Sequence, residues 1–151
     1  MSKYIWIFVL AIAYACHGQS QAPETKSPQA KEEVKPEVVL TEASDFKSLQ
    51  DSIKNLQILD VRTPREWEEG ILENAVMLDY FDKNHKEALS QTLDPNAPVL
   101  VYCRSGGRSA KSAQILIDLG FTEVYDLKGG VTVWKATGRP LVAPQTQNQG
   151  Q

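Results

Sequence analysis

The chain is poor in the residues that build metal centres and disulfide frameworks. Among its 151 residues there are two cysteines, Cys16 and Cys103, and two histidines, His17 and His85. Two lone cysteines make neither a disulfide scaffold nor a zinc site, and neither histidine has ligand-like spacing to partners. No metal and no cofactor is therefore expected. Excess positive charge is also missing: the net charge is −3, and no basic stripe with interleaved aromatics occurs. That leaves no electrostatic case for binding nucleic acid. The longest apolar stretch, Tyr4 to Ala15, is twelve residues, too few to span a bilayer comfortably.

What is present divides into a leader, a tether and a domain. Lys3 followed by that apolar stretch fits the h-region of a secretory signal, giving a signal peptide over 1–15. Its end, Ala13-Tyr14-Ala15-Cys16, resembles the lipobox of bacterial lipoproteins, with Ala13 where Leu is commonest. The resemblance implies lipidation at Cys16 and attachment to a membrane; ordinary cleavage after Ala15 is the alternative. On either reading the domain is exported, to the periplasm or cell envelope. Residues 16–36 are rich in Gln, Pro, Lys, Glu and Ser and cannot offset the entropy of ordering, so they read as a flexible linker. Residues 143–151 read as a disordered tail. The folded part is then 37–142, a usual size for one domain, with a monomer as the default.

Within it, apolar runs alternate with helical patterns. Strands are expected at Val38–Leu40, Gln57–Val61, Ala75–Leu78, Val99–Tyr102 and Val124–Leu127. Helices are expected over Asp45–Gln50, capped by Thr41 or Ser44, then Lys83–Ser90, Ala110–Leu119 and from Gly129-Gly130 to near Gly138. Thr63 as N-cap, Pro64 at N1 and Glu66 three after the cap predict a short helix closed by Gly70. Ala110, Ala113 and Leu116 or Ile117 form one apolar face of the fourth helix, and Gly120 fits C′. Five strands alternating with helices predict an α/β fold: a five-stranded, mainly parallel sheet with helices on both faces. Ligands of such sheets lie beyond the carboxyl ends of the strands.

One loop occupies that position: Cys103-Arg104-Ser105-Gly106-Gly107-Arg108-Ser109, between the fully apolar Val99–Tyr102 and a helix. Backbone N–H groups of such a turn and the positive end of the helix converge on one point. A free cysteine titrates near ~8.5, so only a few per cent is thiolate at neutral pH. Lowering that by about two units requires roughly 2.7 kcal/mol of preference for the charged form. Amide dipoles together with Arg104 and Arg108 are the expected source, which makes Cys103 a candidate nucleophile.

Three separated pieces resemble the rhodanese-like (sulfurtransferase) family. They are Leu59-Asp60-Val61-Arg62-Thr63-Pro64-Arg65-Glu66-Trp67, then Val101–Ser109, then Leu127-Lys128-Gly129-Gly130 with Trp134, Gly138 and Pro140-Leu141. The resemblance implies a rhodanese-like fold and a persulfide cycle at Cys103, with Arg104, Ser105, Gly106, Gly107, Arg108 and Ser109 binding substrate. The substrates implied are a small anionic sulfur donor such as thiosulfate and a thiol or cyanide-like acceptor. Gly106 and Gly107 are expected to let the loop curl. Asp60 and Arg62 are expected to support the loops rather than do chemistry, Trp67 and Trp134 to be core or pocket-wall aromatics, and the buried Tyr102 hydroxyl to need a partner. Two positions depart from the family pattern. Ile71 stands where a histidine is frequent, and Asn74 where glycine is, Asn being the next most tolerant of positive φ.

Two other readings share the motif. A non-enzymatic persulfide carrier or sensing module would look the same. The cysteine-dependent phosphatases have Cys-x5-Arg, but six residues after Cys103 stands Ser109, and Arg108 comes one position early.

Overall fold

In the computed structural model, residues 35–144 are described. The expected signal segment, Cys16, nearly all of the linker and most of the tail lie outside them. The elements are β1 (Glu37–Thr41), α1 (Phe46–Ser52), β2 (Gln57–Asp60), α2 (Pro64–Trp67), β3 (Ala75–Met77), α3 (His85–Thr92), β4 (Val99–Tyr102), α4 (Gly107–Asp118), β5 (Glu123–Leu127) and α5 (Gly130–Ala136). All strand pairs are parallel, in the order β1-β5-β4-β2-β3. The chain reaches the far edge at β3 before returning to β4, so β4 lies between β5 and β2 in the middle of the sheet. A ligand crevice belongs beyond the carboxyl end of such a strand.

Side chains alternate across β4 and divide the core in two. Leu100 and Tyr102 pack with Phe46, Leu72, Val131 and Trp134 on one face. Val99, Val101 and Cys103 pack with Leu89, Ala113, Leu116 and Phe121 on the other. All four residues of β4 are fully buried, as an unbroken apolar run requires of a strand covered on both sides. Trp134 meets Phe46 edge-on, with centroids 4.7 Å apart, and donates Nε1–H to the Pro140 carbonyl at 2.8 Å.

Helix ends show where local chemistry decides and where tertiary contacts do. Around Thr63 the reciprocal cap forms: Glu66 Oε2 accepts from the Thr63 N–H at 3.0 Å and from its hydroxyl at 2.9 Å. α4 closes in a Schellman arrangement, with the Phe121 N–H bonding Leu116 O and the Gly120 N–H bonding Ile117 O. Gly120 has φ +94°. Asn74 adopts φ +64°, the left-handed conformation that glycine would otherwise supply. Neither Thr41 nor Ser44 caps α1; Asp45 holds the N-cap position without a side-chain bond. α3 starts two residues later than expected, because a turn around Asp82 takes up the Asn84 and His85 N–H groups. α4 starts three residues earlier than expected, which places Gly107, Arg108 and Ser109 in its first turn. Ala110 is exposed, and the inward face is Ser109, Ser112, Ala113 and Leu116. The two serines are buried because each finds a partner: Ser109 donates to Gly106 O, and Ser112 Oγ lies 3.1 Å from His85 Nε2.

A buried ion pair locks the ends of β2 and β4. Arg62, 2% exposed, donates Nε–H and Nη2–H to the Asp60 carboxylate at 2.6–3.0 Å. Its remaining donors reach Glu66 O at 3.1 Å and Gly70 O at 2.7 Å. Tyr102 donates its hydroxyl to Asp60 Oδ2 at 2.6 Å and accepts the Leu72 N–H at 3.0 Å. Burial pushes the Tyr102 phenol up, with the Asp60 charge adding to it, so the phenol stays a donor. A buried pair is tolerated when its remaining donors and acceptors are also satisfied, and here they are. Tyr102→Phe would strand the Leu72 N–H and remove one donor from Asp60. Urea denaturation should show a loss of about 1–3 kcal/mol, the cost of buried groups left unpaired. An unchanged midpoint would mean that the hydroxyl carries no structural load.

Candidate active site

Strand β4 delivers Cys103 directly into the first turn of α4. The residue is 1% exposed, so its sulfur lies at the floor of the turn. Gly106 takes φ +106° at the N-cap of α4, a conformation costly for residues with a Cβ, and aims its N–H at Sγ, 3.2 Å away. Burial pushes the thiol up. The Ser109 N–H and hydroxyl, with the N–H groups of Ser105 and Gly106, act the other way, and the net shift is downward. The first turn of α4 contains no acidic side chain, so the positive end of the helix is left to the sulfur.

The second glycine has a different role from the one expected. A Cβ at Gly107 would meet nothing within 4 Å and its φ is ordinary, so the curl of the loop rests on Gly106 alone. Beneath the loop, Gly130 at φ +56° is packed so closely that a Cβ would fall 2.3 Å from the Cys103 carbonyl oxygen. The first N–H groups of α5 hold the loop there, Val131 N–H to Cys103 O at 2.9 Å and Thr132 N–H to Arg104 O at 3.0 Å. The Thr132 hydroxyl adds a bond of 2.9 Å to Arg104 O.

The two arginines part company. Arg108 forms a two-pronged pair with Glu66, 2.7 Å at each prong, with the side chains 18% and 21% exposed. Its charge is favoured first by Glu66 and also by Cys103. Its Cζ lies 5.7 Å from the ring centroid of Phe81, which is 68% exposed at the rim. Arg104 is exposed and lines a cleft of about 290 Å³ together with Arg62, Glu66, Thr132 and Lys135. The thiol is lowered chiefly by Ser109 and by the Ser105 and Gly106 amides, and Arg108 interacts with it as a neighbouring positive charge. Asp60 and Arg62 sit below the loop in the buried lock. Trp134 is in the core, and half-buried Trp67 packs against it.

Sequence reading missed Glu66 as the partner of Arg108. The Thr-x-x-Glu spacing marks it as a capping residue, but nothing local announces a pairing across 42 positions. It also missed Asp126, a buried carboxyl on β5 whose Oδ1 has no hydrogen-bond partner.

The rhodanese-like domain family profile matches residues 42–137. A protein of Allochromatium vinosum named sulfurtransferase is 31% identical over 105 residues, covering 67% of this chain and 94% of that protein. A tRNA uridine(34) hydroxylase of Chlamydia abortus is 40% identical over 82 residues, 51% of this chain but only 25% of that longer protein. Among solved structures, a rhodanese-related protein of Thermoplasma volcanium superposes with a TM-score of 0.58 at 26% identity, covering 70% of this chain and 99% of that one.

The Glu66–Arg108 pair makes a pH-dependent contribution. The Arg108 hydrogen bonds, against the opposing effect of burial, hold the Glu66 carboxyl down at about 2, from an ordinary 4.5. Because the folded value is the lower one, the stabilisation is fully present above about pH 4.5 and is lost as pH falls toward 2. Its size is on the order of 3 kcal/mol, an upper limit for a pair in partial contact with water. Glu66→Gln should lower stability at pH 7 and flatten the acid limb of a stability-against-pH curve. An acid limb identical to that of the wild type would remove Glu66 from this account.

Proposed function

The chain belongs to the rhodanese-like domain family, and from that premise we propose that it is a sulfurtransferase working through a Cys103 persulfide. The observation that carries the reading is the convergence of N–H groups and the Ser109 hydroxyl on one buried sulfur. A thiolate so held is a nucleophile near neutral pH. In the first half-reaction the Cys103 thiolate attacks the outer sulfur of thiosulfate. The new S–S bond forms as the old one breaks, and sulfite leaves with the bonding electrons. In the second half-reaction a thiolate or cyanide acceptor attacks the outer sulfur of the persulfide. The Cys103 thiolate is regenerated and no net oxidation of the protein occurs. Arg104, exposed in the cleft with its backbone pinned by Thr132, is suited to drawing in the anionic donor. Arg108, held rigid by Glu66, is suited to orienting it.

Placement at the cell envelope, through a lipid on Cys16, belongs to the same proposal and rests on the sequence of the leader. Among the described residues Cys103 is the one free cysteine. That favours transfer to an outside acceptor over an internal disulfide cycle. The same observation suits a single-load persulfide carrier. A phosphatase is disfavoured because Ser109, which stands where the phosphate-gripping arginine would be, is buried against the sulfur.

Incubating residues 37–142, or the full chain, with thiosulfate should add roughly 32 Da to Cys103, the mass of one persulfide sulfur, and cyanide should remove it. Cys103→Ser should show neither change. Repeated turnover with thiosulfate and cyanide identifies an enzyme, and a single stable load identifies a carrier. Hydrolysis of a small aryl phosphate without sulfur transfer would overturn the proposal.

A further inference from the structure

The cleft beside the loop is larger than the donor in the cycle just described. It runs between the end of α2 and α5 and encloses about 290 Å³, near the lower bound of pockets that take whole small molecules. A thiosulfate or cyanide ion would leave most of it empty. The charges that line it do not cancel. Among the described residues Arg62 is paired with Asp60, Glu66 with Arg108 and Lys135 with Glu69, whereas no acid pairs with Arg104. The cleft therefore carries one positive charge in excess and favours an anionic occupant.

Its ion pairs differ in how firmly they hold. Glu66 accepts two short bonds from Arg108, both partners being little exposed. Glu69 and Lys135 meet through one contact of 3.3 Å, with 65% and 51% of their side chains exposed. Exposed pairs of that kind are weak and open readily. Lys135 stands three residues after Thr132 on α5, so the two share a face of the helix. Thr132 is bonded to the Arg104 carbonyl at the loop. Lys135 therefore lies roughly 4.5 Å farther from the loop along the helix axis. Two cations are thus staggered along the cleft, Arg104 beside Cys103 and Lys135 farther out.

From this geometry we infer that the cleft is the acceptor subsite and takes a thiol carrying a carboxylate, with Lys135 as the specificity-determining residue. The carboxylate replaces Glu69 on Lys135, and the thiol end lies toward Arg104 and the loop. The acceptor thiol gives its proton to water. Its thiolate then attacks the outer sulfur of the Cys103 persulfide, and the S–S bond to Cys103 breaks. The bonding electrons return to Cys103, and the acceptor leaves as a persulfide. No oxidant or reductant is consumed. The inference rests on the sulfur-transfer reading, but occupancy of the cleft can be read without any transfer.

The test loads Cys103 of the full chain with thiosulfate, removes the excess and times the loss of the added sulfur by mass spectrometry. The acceptors are 3-mercaptopropionate and 2-mercaptoethanol, similar in size but anionic and neutral respectively. The rate for the first divided by that for the second cancels any effect on loading. Lys135→Glu should lower this ratio about fivefold or more, the effect of reversing one exposed charge. Glu69→Gln, which frees Lys135, should raise it about twofold. Both side chains are more than half exposed, so neither change disturbs the core. An unchanged ratio in Lys135→Glu would overturn the inference, as would a ratio lowered by Glu69→Gln. Binding is read separately from the amide shifts of Thr132 and Lys135 on titration with 3-hydroxypropionate, the oxygen analogue of the anionic thiol. Shifts in the wild type that vanish in Lys135→Glu are expected, and their absence from the wild type would sink the idea. If those shifts appear while thiosulfate adds no sulfur to Cys103, the sulfur-transfer reading fails and the carboxylate subsite stands.

Discussion

A buried sulfur faced by several N–H groups sets the terms for the rest of this molecule. Burial alone would keep Cys103 protonated and unreactive. The opposing effect comes from N–H groups of the first turn of α4 and from Ser109, which reach the sulfur only if the chain turns sharply after β4. That turn needs Gly106 at positive φ and a backbone pressed against α5, where Gly130 leaves no room for a Cβ. A small loop geometry thus decides whether the cysteine is a reagent or a hydrophobe.

The scaffold beneath is built for that accuracy. β4 occupies the middle of the sheet, buried on both faces, and ends at the loop. Its last residue, Tyr102, is tied by its hydroxyl to Asp60 at the end of β2 and to the Leu72 backbone beyond α2. Arg62 fills the space between with four hydrogen-bonded acceptors in reach. Charge is buried here at a cost that better-packed apolar side chains would avoid. In return, three chain segments are fixed relative to one another just below the reactive sulfur.

Much of this was legible because it is local. The apolar run Val99–Tyr102, the Thr63–Glu66 cap, Gly120 after α4 and Asn74 at positive φ each follow from neighbouring residues. What escaped was non-local or polar and buried. Ser109 and Ser112 face inward because Gly106 and His85 receive them, so an apolar-face rule points to Ala110 instead. The early start of α4 depends on a sulfur completing the helix end, a contact no capping table contains. The pairing of Arg108 with Glu66 spans 42 positions and has no local signal either. Asp126 reads as an ordinary strand residue until β5 is laid between β1 and β4, where the carboxyl is buried with Oδ1 unpaired.

Glu66 is fastened twice, to the start of α2 through Thr63 and to α4 through both nitrogens of Arg108. A carboxylate that accepts four hydrogen bonds from two elements has no alternative rotamers to offer a visitor. That flank of the mouth is therefore a fixed jamb, its width dictated by the spacing of two helices rather than by side-chain give. Phe81, its ring 5.7 Å from the Arg108 guanidinium on that same flank, is the exposed group that a visitor meets beside it.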